Sequence, residues 1–313
     1  MVNPVSWRDL PWLYRMRRRM LILDSRRAYT NTPLSLQNIL LSDLLIDNNS
    51  CTLVASSGGL RAQRIVGQFH HRGGHRHARL AFLGPEERLY GQEALGLLDE
   101  LIRSSGERGA HMLIAEVDEK CAALDLLRRS GFAVYARQCI WKSGPEHGLT
   151  PAAPSLWRTA VPSDLAAMQV LYTHLVPPMV QQVEPKPFTN GQFWVHWKGQ
   201  ELLAILEVIR GPLGVRLQPY FHPAVRMIED LLLQVLQQYL PLGNIPAYVC
   251  IRSYQGGFSA PLESLGFVPW SDQAVMVRRL TAAVAQRALK ALPALEGTQA
   301  EPSAPMSRYT TQV

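Results

Sequence analysis

Cysteine is scarce in this chain of 313 residues: Cys51, Cys121, Cys139 and Cys250 lie far apart and form no CxxC pair. That spacing excludes a zinc-ribbon framework and a disulfide scaffold, and it fits reduced thiols in a cytoplasmic protein. Long apolar runs are also missing. The stretch from Arg15 to Asp24 is broken by charge and too short for a signal segment. No other segment approaches the roughly 20 apolar residues that a membrane helix needs, so no membrane partner is expected. Gly-x-Ser-x-Gly, Walker and dinucleotide fingerprints are absent as well. Only 18% of residues are charged, yet 47% are hydrophobic, enough to build buried cores and to exclude wholesale disorder.

What charge there is leans basic, with a formal net charge of +7, which favours anionic partners without choosing among them. The length suits two domains of ordinary size. From the N-terminus, Leu10 to Tyr29 reads as an amphipathic helix with an arginine face, and Ser35 to Leu45 as a second helix closed by Asp47-Asn48-Asn49. Short β-prone runs follow at Cys51–Ala55, Arg64–His70 and Ala78–Leu83, the last two flanking the turn-like Gly73-Gly74. Helical spacing over Tyr90–Ser104, a buried strand at His111–Val117, a helix over Cys121–Arg129 and a strand over Phe132–Trp141 complete the first half. A linker is expected at 144–155, where prolines and glycines cluster. The second half repeats the order: helix Leu165–Leu175, strands Phe193–Trp197, Leu202–Ile209 and Val215–Phe221, helix Val225–Tyr239, strand Ala247–Tyr254, helix Ser259–Leu265 and strand Ala274–Leu280. Such an order calls for a mixed α/β sheet.

The two halves also share residues. Leu127-Arg-Arg-Ser-Gly131-Phe132, followed by Gln138-Cys-Ile, answers Leu262-Glu-Ser-Leu-Gly266-Phe267, followed by Gln273-Ala-Val, at a constant offset. A helix that ends in Gly-Phe, leads into a last strand and follows strand–helix–strand resembles the C-terminal half of a domain of the GNAT superfamily, the acyl-CoA-dependent N-acyltransferases. That family's other mark is a strand, a proline, then Arg/Gln-x-x-Gly-x-Gly/Ala opening a helix. Small residues there let the backbone close on a pyrophosphate, and free amides at the helix N-terminus bind its oxygens. The first repeat has Pro85-Glu-Glu-Arg88-Leu-Tyr-Gly91-Gln-Glu93, with Glu93 at the second small position. The second has Pro223-Ala-Val-Arg226-Met-Ile-Glu229-Asp-Leu231, matching only at Pro223 and Arg226.

The resemblance implies an α/β fold of two tandem GNAT-like domains, each a mixed, mostly antiparallel sheet flanked by helices. They would span 1–143 and 156–281, with a helical then disordered tail over 282–313. It implies acetyl-CoA or another acyl-CoA as cosubstrate, no metal, and an amine acceptor of unspecified identity. Leu83, Arg88, Leu89, Tyr90, Gly91 and Gln92 of the first repeat would bind the cofactor. The family's general acid is often a tyrosine a few residues before Gly-Phe, where this chain has Leu127 and Leu262; Tyr90, Tyr135 and Tyr254 are the substitutes on offer. Glu116 and Asp118, with Glu207 in the second repeat, are candidate bases, and Glu116 with Tyr135 is the catalytic pair expected. The alternative is a catalytically inactive tandem module that binds a protein, a small ligand or nucleic acid.

Two clusters stand outside that scheme. His70-His71-Arg-Gly-Gly-His75-Arg-His77 crowds histidines on one hairpin, but no carboxylate lies nearby in sequence and Arg72, Arg76 and Arg79 repel a cation. The same hairpin with Arg15, Arg17, Arg18, Arg19, Arg26 and Arg27 offers a basic surface to nucleic acid, unaccompanied by any nucleic-acid motif.

Overall fold

The computed structural model describes residues 2–30, 49–56, 64–144, 156–184, 188, 191–239 and 245–280. In chain order the first repeat contains β1 (Val2–Pro4), α1 (Leu10–Met16), β2 (Leu21–Ile22), α2 (Ser25–Ala28), β3 (Ser50–Ser56), β4 (Arg64–His71), β5 (His77–Gly84), α3 (Gln92–Glu107), β6 (Met112–Asp118), α4 (Ala123–Arg129) and β7 (Ala133–Ser143). The second contains β8 (Arg158–Thr159), α5 (Leu165–Leu175), α6 (Pro178–Val183), β9 (Gln192–Lys198), β10 (Glu201–Gly211), β11 (Gly214–Phe221), α7 (Ile228–Tyr239), β12 (Ala247–Arg252), α8 (Ser259–Ser264) and β13 (Phe267–Arg279). The helix expected over Ser35–Leu45, the linker beyond Gly144 and the tail expected over 282–313 lie outside the described residues.

Periodicity explains most of these elements. α3 buries Ala94, Leu97, Leu98, Leu101 and Ser105, the stripe of a helix lying on a sheet. α7 does the same through Leu231, Leu232, Val235 and Leu236. All eight residues of β11 are buried, as a strand covered on both faces requires. The expected helix over Leu10–Tyr29 breaks instead. It runs from Leu10 to Met16, tightens at Arg17–Arg19, and gives up Leu21-Ile22 to a strand before the single turn of α2.

Among the described residues the thirteen strands join one sheet in the order β1-β3-β4-β5-β6-β13-β7-β12-β11-β10-β9-β8, with β2 paired to β5 off this path. The residues Met1–Ala282 accordingly form one compact unit. The sheet crosses the boundary expected between two domains, and it does so by exchange. β13, the last strand of the second repeat, lies antiparallel to β6 and β7 of the first. β7 in turn pairs with β12 of the second repeat. Each repeat is therefore completed by the other's terminal strand. At the centre Gln138 and Gln273, which are 135 residues apart, face each other across β7 and β13 and share a 2.7 Å side-chain hydrogen bond. The internal repeat seen in the sequence is thus a pseudo-twofold axis in the fold.

Four apolar clusters flank the sheet. The first repeat's main core packs α3 and α4 on β3–β6 and includes Met276 of β13. The second repeat's core packs α7 and α8 on β9–β12 and includes Trp141 of β7. A third, under α5 and α6, draws in Ile114, Tyr135, Val275 and Val277, and a fourth lies under α1. Close approach seals the seam: a Cβ on Gly211 would lie 1.9 Å from the Thr30 carbonyl oxygen, so only glycine fits there. Tyr29 stacks on Tyr248 beside it, ring centroids 4.5 Å apart.

Candidate functional site

Parallel neighbours in this sheet meet only briefly. β5 and β6 pair at His77–Met112, Ala78–Leu113 and Arg79–Ile114 and then diverge. β11 and β12 pair at Val215–Ala247, Arg216–Tyr248 and Leu217–Val249 and do the same. Each repeat therefore has a wedge opening toward the carboxyl ends of two parallel strands, the place where open α/β sheets take ligands.

The first wedge is filled by the chain itself. Leu21 and Ile22 pair antiparallel with Leu83 and Phe82. The Leu23 amide donates to the Ala81 carbonyl at 2.9 Å, and the Leu23 carbonyl accepts from the Glu116 amide at 2.8 Å. The Ser25 amide then donates to Glu116 Oε2 at 2.9 Å. A short strand thus spans from β5 to β6 and uses the backbone groups that a bound ligand would need. Leu23 is buried, held in the first repeat's core. A three-residue apolar run was available to do this because unpaired strand edges cost free energy when buried.

The residues expected to bind a cofactor lie around this filled wedge. Leu83 is buried with its edge committed to Leu21. The amides of Arg88 and Leu89 close a tight turn onto Pro85 and Glu86 carbonyls. The Arg88 guanidinium donates to the Arg64 carbonyl at 3.0 Å. Leu89 is buried, while Tyr90 and Gln92 project into solvent. Gly91 caps α3, but Glu93 Oε2 lies 2.8 Å from where its Cβ would stand, so a carboxylate overhangs the loop. Negative charge there opposes a phosphate.

Glu116 and Tyr135 are both buried and take different hydrogen-bond partners. Glu116 accepts from Arg79 at 3.1 Å, from the Ser25 amide and from Gln138 at 3.3 Å. Burial alone would raise its carboxyl; Arg79, Arg216, Arg252 and the Ser25 amide outweigh that and hold it at about 2. It is an ionised structural anion with its lone pairs engaged. The Tyr135 hydroxyl donates to Glu184 at 3.2 Å, and burial, then the Glu184 charge, keeps the phenol protonated well above its ordinary range. Glu207 is paired with Arg26 at 3.0 Å and Arg216 at 3.5 Å. Asp118, at the end of β6, accepts from Ser271 at 2.9 Å. Glu116, Gln138, Glu207 and Arg216 belong to one buried polar strip across the seam, continued by Arg252, which donates to Glu184, and by Cys250, which donates to Gln138.

The second wedge is bridged by one side chain rather than a strand. Gln255 Nε2 donates to the Pro219 carbonyl, and Gln255 Oε1 accepts from the Arg252 amide at 2.9 Å. Beyond it lies a cavity of about 530 Å³, within the size range of small-molecule sites. His222, Arg226 and Glu229 line one side, Tyr254, Gln255 and Phe258 the other. The cavity abuts the first turn of α7, whose leading amides have no intrahelical acceptor. Arg226 is exposed at its rim. Glu229 accepts from Ser264 at 3.3 Å, which ties its carboxylate to α8. Burial keeps the Tyr254 phenol protonated above its usual range. The sequence marked Pro223, Arg226 and Tyr254 singly; it gave no sign that the better-formed opening belongs to the repeat with the poorer glycine pattern.

The chain matches no family model, and no curated protein matches it. Solved structures do. A GCN5-related N-acetyltransferase from Sphaerobacter thermophilus aligns over 89% of this chain and 95% of its own, at 13% identity and a TM-score of 0.56. A tandem GNAT protein from the clavulanic acid biosynthesis pathway, solved without AcCoA, aligns over 89% of this chain and 98% of its own, at 13% identity and a TM-score of 0.52. The chain therefore has the tandem GNAT fold, mixed α/β sheet and flanking helices included.

Proposed function

We propose that this tandem GNAT fold is an acyltransferase, moving an acetyl or related group from acyl-CoA to an amine, and that the second repeat holds the cosubstrate. The observation that carries this reading is the cavity of about 530 Å³ at the open end of the β11–β12 wedge, set against a first wedge occupied by residues 21–25. A diphosphate at the start of α7 would meet the first-turn amides, the favourable end of the helix dipole and the Arg226 charge, against the opposing charges of Asp230 and of Glu229, which is tied to Ser264. In the transfer the amine nitrogen bonds to the thioester carbonyl carbon and the carbon–sulfur bond breaks. The departing thiolate needs a proton, which a protonated Tyr254 at the cavity wall is placed to give, and the amine's surplus proton restores it through solvent. Positioning supplies much of the rate in such a reaction.

Calorimetry with acetyl-CoA tests the proposal. One molecule should bind per chain, Arg226→Glu should weaken binding by about tenfold or more, since it reverses a phosphate contact, and Gly91→Glu should leave it unchanged. Binding abolished by Gly91→Glu but kept in Arg226→Glu would return the cofactor to the first repeat. No binding in the parent chain would end the enzymatic reading and leave a tandem binding module.

A further inference from the structure

The histidine hairpin and one arginine of the N-terminal basic stretch, separate in the sequence, converge on a second cavity of about 360 Å³. It lies on the sheet face opposite α3, beside the strand that fills the first wedge. Arg27 from α2, Arg72 from the hairpin turn and Arg79 from β5 all line it, and Asp24 is the single carboxylate among its described lining residues. His70 and His77 stand in the same wall, beside Ser50. Arg79 is already paired with Glu116 behind the wall, so Arg27 and Arg72 stand against the one carboxylate and leave the opening net positive, and Asp24 is itself engaged as the cap of α2, accepting from the Arg26 amide at 3.1 Å.

His70 adds a donor or acceptor without a partner. Its Nδ1 meets Ser50 Oγ at 2.6 Å, while its Nε2 is buried with no hydrogen-bond partner. Burial and the neighbouring Arg27 charge push this imidazole down to about 3, so it is neutral across the physiological range. A neutral ring whose Nδ1 accepts from the serine hydroxyl carries its proton on Nε2, a buried donor without a partner in a residue of the cavity wall. Among the described residues no three His, Cys, Asp or Glu side chains are grouped to hold a metal, and a cation would face three arginines. An anion would face complementary charge.

We propose that this cavity is a binding site for a small molecule bearing a compact oxyanion, a phosphate or phosphomonoester, held between Arg27 and Arg72 with His70 and His77 in the wall beside them. Forked guanidinium contacts suit tetrahedral oxyanions. The volume, equal to roughly a dozen waters at about 30 Å³ each, leaves space for an organic portion. Because Arg27 follows directly on the segment that fills the first wedge, and Arg79 holds Glu116 beneath it, an occupant here would clamp that segment in place.

The test is thermal shift and calorimetry with inorganic phosphate, then with glycerol 3-phosphate, on the full chain. A saturable stabilisation is expected that falls about tenfold in affinity in Arg72→Glu and in Arg27→Glu, both exposed positions, and that persists in Arg226→Glu. Persistence there separates this site from phosphate captured at α7, so the outcome is independent of the acyl-CoA proposal. Tighter binding of glycerol 3-phosphate than of phosphate identifies a phosphomonoester ligand; the reverse order identifies free phosphate. Should either charge reversal fail to fold, phosphate-dependent shifts of the His70 and His77 ring resonances in the parent chain serve in its place. No stabilisation by either probe, or stabilisation lost in Arg226→Glu and kept in Arg72→Glu, overturns the proposal.

Discussion

Glu116 takes hydrogen bonds from Ser25, Gln138 and Arg79 in the middle of the sheet, and its carboxyl is held at about 2. The folded value lies below the ordinary carboxylate range near 4.3. Its ionised form therefore stabilises the fold at every pH above that range, and the contribution disappears as pH falls from about 4.5 toward 2. Glu116→Gln should cost on the order of 3 kcal/mol at neutral pH, because Arg79 loses the carboxylate it is hydrogen-bonded to. The variant should also flatten the acid limb of the stability curve. Urea titrations of both proteins from pH 7 to pH 3 measure the two effects together. The sequence showed Glu116 as a carboxylate on a central strand, and Gln138 with Gln273 as matched members of a repeat. It could not show that Ser25, distant in the chain, would supply the amide that neutral chemistry at Glu116 would have to displace. Nor could it show Gln138 bonded to Gln273, since such contacts follow from strand partnership rather than from either residue's neighbours.

At the level of elements the decisive pieces are β2 and β13. Leu21-Ile22-Leu23 lies in a stretch with helical spacing, and local propensity there is overridden by non-local hydrogen bonds to Ala81 and Glu116. β13 has the alternation of a last strand, and the sequence marks it over Ala274–Leu280, whereas the strand begins earlier, at Phe267. Its address was not, because alternation fixes which face a side chain takes but not which chain segment lies beside it. Its side chains divide accordingly: Ala274 and Met276 enter the first repeat's core while Val275 and Val277 enter the cluster beneath α5 and α6. Met276→Ala should therefore cost about 2–5 kcal/mol and loosen the first repeat although the residue belongs to the second. Hydrogen exchange should show faster opening of β6 and α4 than of β10; equal acceleration everywhere or in β10 alone would contradict the assignment.

The whole molecule should unfold in one step. A sheet whose central strands alternate in origin leaves neither half with a complete set of neighbours, so separate transitions for the two repeats are not expected. Chains cut at the expected linker, 1–150 and 151–313, should each fail to give a cooperative transition alone and should regain one when mixed, as followed by tryptophan fluorescence and calorimetry. Two independent transitions in the intact chain would count against the exchanged strands. The tandem organisation was legible from composition, repeat and turn signals. That the halves interlock was not, because a sequence repeat is equally compatible with beads on a string.

Interlocking bears on how this molecule can change over generations. A half whose own opening is stoppered by Leu21–Ser25 would ordinarily be free to erode or be shed. Here it cannot be: β12, which forms one wall of the better-formed opening, has β7 of the other half along its far edge. Any selection acting on a ligand between β11 and β12 is inherited by the partner half as a requirement to keep folding, and a stoppered opening is a means of meeting it.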